Sequence, residues 1–307
     1  MASNEKLAGN HTGRSASQRT ARARVLDGLP VTQRRLSLNG ISTAVLEGGE
    51  GPPILLLHGP SGYAAHWLEV IPELITTNRV IAPDLPGHGA SQSFAGVPNP
   101  DALFGWLDDL IECTCSAPPV VVGQTLGGAL AARFAAERRM RLRALVLVDT
   151  FGLSGFQPLP EFGAALQEFM AAPDERSHDR LWRQCAFELP ILQERLGDRW
   201  ESLKAYNLER ALAPGSTAAV SALMEQFGMS AIPSTTLARI TVPTTLIWGQ
   251  EDRATTLHVA RDASARYGWN LHVIADAADD PALEQPQAFV KALRAFMNTL
   301  PQPARAS

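Results

Sequence analysis

The chain has 307 residues, of which 45% are hydrophobic and 19% are charged, and its formal net charge at pH 7 is −4. This length and apolar content allow one large folded domain and exclude an intrinsically disordered chain, and the slightly acidic balance gives no reason to expect a nucleic-acid partner. No run of about 18 apolar residues is present, so the sequence predicts neither a membrane span nor a membrane partner.

The N-terminal segment, residues 1–24, is rich in serine, arginine, glycine and asparagine. It lacks the apolar stretch of a secretion signal and is predicted to be a flexible tail. The three cysteines, Cys113, Cys115 and Cys185, are an odd number without the spacing of metal ligands. We expect them to be reduced thiols, buried or partly buried, which indicates a cytoplasmic protein.

The predicted strands begin with a hairpin. Residues 33–38 and 41–46 alternate in polarity around Asn39 and Gly40, a pair suited to a two-residue turn. The later strands are short apolar runs separated by helical patterns, which is typical of a parallel sheet covered by helices on both faces. These runs begin near Pro53, Arg79, Val120, Arg143, Thr244 and Leu271.

The central strand leads into a sharp turn. Its apolar residues 120–122 are followed by Gly123-Gln124-Thr125-Leu126-Gly127 and then by an alanine-rich helix pattern at residues 128–137. This order is typical of a nucleophile elbow, in which one side chain projects above the edge of the sheet. Glycines are needed on either side because the turn leaves no room for neighbouring β-carbons. Thr125 is predicted to be the projecting residue.

Four further segments accompany this elbow in a fixed chain order. They are the His58-Gly59 turn, the loop Pro86-Gly87-His88-Gly89, the acidic loop that ends at Asp252, and residues 279–286 before the last helix. Together with the elbow they resemble the α/β-hydrolase superfamily, in its lidded branch of esterases and epoxide hydrolases, over about residues 31–300. The resemblance implies an α/β fold with a mostly parallel, doubly wound sheet. Its core would comprise residues 25–149 and 238–307, with an inserted helical lid at residues 150–237.

The insert has helical periodicity at residues 160–170, 179–189 and 200–212. Its aromatic residues suggest a small apolar ligand, because the walls of ligand pockets are mostly apolar. The alternative, that single aromatic side chains pack only the core of the insert, stays open. The aromatic residues concerned are Phe151, Phe156, Phe162, Phe169, Trp182, Phe187 and Phe227.

The residues at the reactive positions depart from the superfamily. Thr125 stands where the nucleophile is expected and Asp279 where a histidine is expected. Asp252 holds the position of the acid, with Asp149 as an alternative acid. A β-branched nucleophile is hindered, and the positive φ of an elbow costs such a residue of order 1 to 3 kcal/mol. We therefore interpret Thr125 as a residue that lines the pocket or hydrogen-bonds a ligand.

An aspartate is a much weaker base than a histidine, since its ordinary pKa is near ~3.9 and that of imidazole is near ~6.5. Asp252 and Asp279 side by side would repel, which would raise one pKa and leave a proton shared near neutral pH. Such a pair could act as acid and base on a ligand or a water molecule. The alternative is that Asp279 caps a helix or faces water.

The oxyanion hole also departs from the pattern. The resemblance implies that Leu126 supplies one backbone N–H, while the other falls on Pro60, which has none. Losing one donor typically lowers the rate about 10²- to 10³-fold, unless Ser61 substitutes for it. Gly59 and Gln124 are predicted to border the same pocket.

Several functions remain open from the sequence. The first is an enzyme with non-classical chemistry on a small apolar carbonyl or ester compound, without a Ser-His-Asp triad. The others are a catalytically silent protein that binds a small molecule, a lyase, isomerase or cyclase on the same scaffold, and an ordinary hydrolase that uses His178 or Cys185. His178 is expected to be a solvated surface residue, and His58 and His88 to belong to turns. No cofactor or metal is predicted, because glycine-rich phosphate loops and spaced metal ligands are missing.

Overall fold

A single eight-stranded sheet organises the computed structural model, which describes residues 20–301. The strand order is β1-β2-β4-β3-β5-β6-β7-β8, and only β1 and β2 run antiparallel to their neighbours. The predicted α/β fold with a mostly parallel sheet is therefore confirmed. The strands are β1 (Thr32–Leu38), β2 (Ile41–Gly48), β3 (Pro53–Leu57), β4 (Arg79–Pro83), β5 (Val120–Gln124), β6 (Ala144–Val148), β7 (Thr244–Gly249) and β8 (Asn270–Ile274).

The hairpin between β1 and β2 forms as predicted. Asn39 has a φ of 46° and Gly40 a φ of 78°, the left-handed conformations that a two-residue turn requires. The strands pair in register from Thr32 opposite Glu47 to Leu38 opposite Ile41.

The helices cover both faces of the sheet. Ile54 and Leu56 of β3 belong to one apolar cluster and Leu55 and Leu57 to another, because successive side chains of a strand point to opposite faces. This explains why β3, β5 and β6 are apolar throughout and buried at every residue. The helices of the core are α1 (Ala21–Val25), α2 (Ile71–Leu74), α3 (Pro100–Thr114), α4 (Leu126–Glu137), α11 (Leu257–Tyr267), α12 (Pro281–Glu284) and α13 (Pro286–Met297).

The segment between β6 and β7, which we call the helical insert, contains six further helices. The predicted helix at residues 179–189 is wrong in its bounds, because the helix begins at Glu175 after a capping box between Asp174 and Ser177 and ends at Cys185. A new helix starts at Leu189, with Pro190 in its first turn. The insert comprises α5 (Pro160–Ala171), α6 (Glu175–Cys185), α7 (Leu189–Leu196), α8 (Asp198–Leu212), α9 (Ser216–Leu223), a π-helical turn (Met224–Gly228) and α10 (Ser234–Leu237).

The predicted N-terminal tail needs a correction. Its last residues form α1, which Thr20 caps by accepting a hydrogen bond from the N–H of Ala23. Arg22 of this helix pairs with Asp84, 2.9 Å away, and donates to the hydroxyl of Tyr206 on α8. The rest of the predicted tail, residues 1–19, lies outside the described residues.

The three cysteines are unpaired. Cys115 and Cys185 are partly buried as expected, but Cys113 is exposed because it lies on the outer side of α3. Within residues 20–301, none of the helices combines the length and apolarity needed to cross a membrane.

Candidate active site

Thr125 occupies the turn between β5 and α4 with a φ of 45° and a ψ of −108°. Its N–H donates to the carbonyl of Val148 at 2.8 Å, and its own carbonyl accepts from Ala129 and Phe151. These bonds on both sides hold a β-branched residue in the strained conformation that the sequence predicted. The Thr125 hydroxyl is buried and has no hydrogen-bond partner among residues 20–301.

The glycines around the elbow allow close approach of the chain. A β-carbon on Gly59 would collide with the Thr125 hydroxyl, and one on Gly127 would collide with the carbonyls of Leu57 and His58. Glycine is therefore required at residues 59 and 127, so that the loop after β3 and the elbow can lie in contact.

A cavity of about 330 Å³ lies between the elbow and the helical insert. The predicted site residues that line it are Gly59, Pro60, Ser61, Gln124, Thr125 and Asp279. Most of the predicted aromatic residues also form its wall, namely Phe151, Phe156, Phe162, Phe169 and Trp182. Phe187 and Phe227 are not among its lining residues, and Phe227 packs in the core instead.

Asp252 lies behind this cavity rather than in its wall. One of its carboxylate oxygens accepts hydrogen bonds from Ala254 and Thr255, at 2.7 and 2.9 Å. The Asp149 carboxyl group lies close enough to act on the pKa of Asp252, and it accepts from the N–H of Gly249 at 2.9 Å. The second oxygen of each acid has no hydrogen-bond partner among the described residues. Asp252 therefore has the alternative acid Asp149 as a neighbour, and its charge also acts on Asp279.

Both members of this pair are buried, which disfavours their charged forms. Burial raises the pKa of Asp252 to about 7, and burial together with the charge of Asp252 raises the pKa of Asp149 well above its ordinary value. Two neighbouring carboxyl groups titrate as a coupled pair, and their burial favours the protonated forms.

Asp279 is partly buried and lines the cavity. Its N–H donates to the carbonyl of Cys185 at 3.2 Å, and its carboxyl group lies close enough to the Cys185 thiol for each to act on the pKa of the other. Burial, reinforced by the charges of Asp252, Asp280 and Glu284, raises the pKa of Asp279 well above its ordinary value. The alternative that Asp279 caps a helix is wrong, because Asp280 caps α12 by accepting from the N–H of Leu283.

Two acids next to Asp279 were missed as site residues. Burial raises the pKa of Asp280 and of Glu284 to about 7 in each case. Glu284 accepts hydrogen bonds from the N–H groups of Ala278, at 2.8 Å, and Phe187, at 2.5 Å, and thereby joins the segment before α12 to the insert. The concentration of acids at residues 279–284 was the available signal in the sequence.

The oxyanion hole stays a prediction, and its proposed residues lie near the elbow. Leu126 is the first residue of α4, where a backbone N–H has no partner within the helix. Leu126 is not itself among the residues that line the cavity, and Ser61 is exposed with a φ of 57°. Gln124 donates from its amide to the carbonyl of Asp279 at 2.9 Å, which ties the elbow strand to the acid segment.

The imidazole side chains differ from expectation in one case. His58 holds its turn, since its Nδ1 lies 2.7 Å from the carbonyl of Gly59 and its Nε2 accepts from Leu85. His178 was expected at the surface, but it is only 1% exposed and lines the cavity, because α6 turns this face toward Trp182 and Trp200. His66 and His88 also line the cavity, and burial lowers the pKa of each to about 4.

Cys185 lines the cavity as well, beside Asp279. Burial and the neighbouring carboxyl groups raise the pKa of its thiol well above the ordinary value, which disfavours the nucleophilic thiolate.

Within the part of the chain that the structure describes, no group of three or more potential ligands is arranged to hold a metal ion. A second cavity of about 410 Å³ shares Phe151 and Phe156 with the first but contains none of the predicted site residues.

The chain resembles known proteins in sequence. Residues 54–292 match the model of the alpha/beta hydrolase family. The chain is 28% identical over 258 residues, 82% of its length and 96% of the relative's, to pimeloyl-[acyl-carrier protein] methyl ester esterase of Chromobacterium violaceum. It is 35% identical over 125 residues, 39% of its length and 45% of the relative's, to 2-hydroxy-6-oxo-2,4-heptadienoate hydrolase of Pseudomonas putida.

Among solved structures, a thermophilic esterase from Thermogutta terrifontis with malate bound is similar in fold. It superposes with a TM-score of 0.70 at 25% sequence identity. The similarity covers 87% of this chain and 98% of that protein.

Proposed function

The chain belongs to the alpha/beta hydrolase family, and we propose that it acts on a small apolar carbonyl or ester compound through acid–base chemistry at Asp279. The observation that carries this proposal is the position of the Asp279 carboxyl group, which lines the same cavity as Thr125 and has a strongly raised pKa. A carboxyl group with a raised pKa stays protonated near neutrality and can donate a proton. The esterase and hydrolase names of the relatives support a carbonyl-type substrate.

The other acids support this role. The carboxyl pair of Asp149 and Asp252 lies behind Asp279, and its charge helps to keep Asp279 protonated. Leu126 is the remaining backbone donor on the elbow side, and Thr125 contributes a hydroxyl contact. In the hydrolysis of an ester, water attacks the carbonyl carbon, the Asp279 proton goes to the oxygen of the departing alkoxide, and a proton from the water returns to Asp279. No covalent bond to the protein is formed.

Two other candidates remain from the sequence. A protein that binds a small molecule without turnover is favoured by Pro60, which removes one oxyanion donor, and by the hindered hydroxyl of Thr125. A lyase, isomerase or cyclase is favoured by a cavity that offers an acid but no conventional nucleophile. Both candidates keep the proposal that an apolar molecule fills the cavity under a helical lid.

The test compares turnover of p-nitrophenyl esters, lactones and epoxides by the wild-type protein and by Asp279→Asn. We expect Asp279→Asn to lower the rate by about 10²-fold or more, because the amide keeps the shape of the side chain but has no acidic proton. Asp276→Asn is the matched control, since Asp276 lies in the same segment, is exposed and has a φ of 54° that asparagine tolerates. Circular dichroism checks that both variants fold.

The outcomes separate the candidates. Wild-type turnover that survives Asp279→Asn would contradict the proposed role of Asp279. Binding of the test compounds without turnover, followed by tryptophan fluorescence, would favour the binding protein. Conversion to a product that contains no added water would favour the lyase, isomerase or cyclase.

A further inference from the structure

Three polar side chains of the cavity wall have no part in the proposed reaction. His66 follows β3 in the core, whereas His178 of α6 and Asn207 of α8 belong to the helical insert, and all three line the cavity. Aromatic rings surround them: the ring centroid of His66 lies 4.5 Å from that of Tyr63, and the centroid of His178 lies 5.9 Å from that of Trp182. His66, His178 and Asn207 therefore form a small polar cluster beside aromatic rings in the wall of the cavity.

A chain of hydrogen bonds fixes the orientation of the Asn207 amide. Nδ1 of His178 lies 3.2 Å from a carboxylate oxygen of Asp179, which can only accept, so Nδ1 carries the hydrogen. Burial lowers the pKa of His178, so the ring is neutral and its Nε2 has a free lone pair. That nitrogen accepts from the Asn207 Nδ2, 3.2 Å away. The amide oxygen of Asn207 is therefore the atom left to accept from another group.

This oxygen is buried and has no hydrogen-bond partner among the described residues. The same is true of Nε2 of His66. The two side chains are close enough for Asn207 to act on the pKa of His66, although their geometry falls short of a normal hydrogen bond. Unpaired polar atoms are unfavourable in a buried site, so a group that bonds both atoms at once would be bound selectively.

We propose that Asn207 and His66 together bind a hydroxyl group carried by an aromatic ligand of this cavity. A hydroxyl group can donate to the Asn207 oxygen and accept from a protonated ring nitrogen of His66 in the same position. A carboxylate has no hydrogen to donate to that oxygen. The rings of Trp182 and Phe169 line the same cavity and suit an aromatic ligand, because aromatic rings attract one another.

This inference rests on the proposed function, since it assumes that an apolar carbonyl compound enters the cavity. Its test measures binding by titration calorimetry with benzylacetone, para-hydroxybenzylacetone and para-carboxybenzylacetone, which differ only at one ring position. We expect the hydroxyl group to tighten binding about tenfold over benzylacetone in the wild-type protein. Asn207→Leu, which is similar in size but offers no acceptor, removes the difference.

Two further variants keep the test independent of one substitution. His66→Phe keeps the ring against Tyr63 and is expected to lower the advantage of the hydroxyl compound as well. Leu166→Ala is the control, because Leu166 lines the same cavity with an apolar side chain and its loss weakens all three compounds equally.

Equal binding of benzylacetone and its hydroxy derivative by the wild-type protein would overturn the inference and leave the proposed function intact. Tighter binding of the carboxy derivative would also overturn it, and would indicate an anion site at Arg210, which lines the cavity nearby. Failure of all three ketones to bind would overturn the inference together with the proposed class of ligand.

Discussion

Thr125 stores backbone strain at the point where the sheet meets the cavity. Its φ of 45° brings a β-branched side chain into a region that such residues rarely adopt, at a cost of order 1 to 3 kcal/mol. The hydrogen bonds to Val148 and from Ala129 hold the turn regardless of the side chain. The strain is thus imposed by the scaffold.

We predict that Thr125→Ser stabilises the protein by about 1 kcal/mol. Serine keeps the hydroxyl group and lacks the branching methyl group, so the relief of strain outweighs the small loss of packing. The matched control is Thr150→Ser, since Thr150 is also buried but is not among the residues with positive φ. That variant should lose about 1 kcal/mol, because it removes a buried methyl group without relieving strain. Urea denaturation of both variants measures the difference, and a destabilised Thr125→Ser would contradict it.

The candidate site was predictable only in part at this scale. Thr125, Asp252 and Asp279 could be placed because glycines, prolines and apolar strands surround them in fixed order. The closeness of Asp149 and Asp252 could not be predicted, since it depends on how the ends of β6 and β7 lie side by side. His66, Asn207 and His178 come together only through the packing of the insert, which leaves no periodic signal in the sequence.

At the scale of elements, helix α1 contacts both the α/β core and the helical insert. Arg22 is 12% exposed and pairs with the fully buried Asp84 of the core, while it donates to Tyr206 of α8 in the insert. A five-residue helix is too short to be stable alone, so these contacts hold it in place. The abundance of serine, arginine, glycine and asparagine at residues 1–24 predicted a tail, because the sequence does not show which surface α1 packs against.

We predict that Arg22→Met destabilises the protein by about 2 to 3 kcal/mol. The substitution leaves a buried carboxylate without its cation, although the N–H groups of Ala64 and Ala90 still bond Asp84. Tyr206→Phe should cost about 1 kcal/mol, since it removes only the hydroxyl acceptor and keeps the ring against Tyr63.

The control for this pair is Arg35→Met, because Arg35 is an exposed arginine whose bonds to Ser42 and Ala90 lie at the surface. Thermal unfolding and limited proteolysis of the insert give the readouts. Equal effects of Arg22→Met and Arg35→Met would show that α1 does not hold the insert.

The sheet was easier to predict than the insert for a physical reason. The central parallel strands β3, β5 and β6 are short apolar runs buried on both faces, so their own composition identifies them. The helices of the insert are set by local breaks such as Pro190 and by the capping box at Asp174, which shift their bounds by several residues. Periodicity alone therefore found its first and last long helices and merged the two between them.

At the scale of the whole molecule, two buried sets of titratable groups have opposite effects on stability. Burial raises the pKa values of one set, which consists of Asp149, Asp252, Asp279, Asp280 and Glu284. Burial lowers the pKa values of the other set, which consists of His58, His66, His88 and His178. Between about pH 4.5 and pH 6.5, the folded acids keep protons that the unfolded chain has lost, while the unfolded histidines hold protons that the folded chain lacks. A rise in pH therefore lowers stability through the acids and raises it through the histidines, and the contribution of the four histidines partly offsets that of the five acids.

Above about pH 6.5 this partial offset fades, because the histidines of the unfolded chain lose most of their protons there. Asp252, Asp280 and Glu284 still carry protons up to a pKa of about 7, and Asp149 and Asp279 above their ordinary range, whereas the unfolded carboxyl groups carry none. Each such proton lowers the free energy of unfolding by about 1.4 kcal/mol per pH unit as the pH rises. We therefore predict, by urea denaturation, a smaller loss of stability per pH unit from about pH 5 to 6.5 than from about pH 6.5 to 8, where the loss is at least about 2 kcal/mol. The double variant Asp252→Asn, Asp279→Asn should show a smaller loss, since two of the groups no longer titrate. Stability that rises over the same interval would mean that these carboxyl groups are charged in the folded protein, and Asp279 could then not donate the proton that the proposed reaction requires.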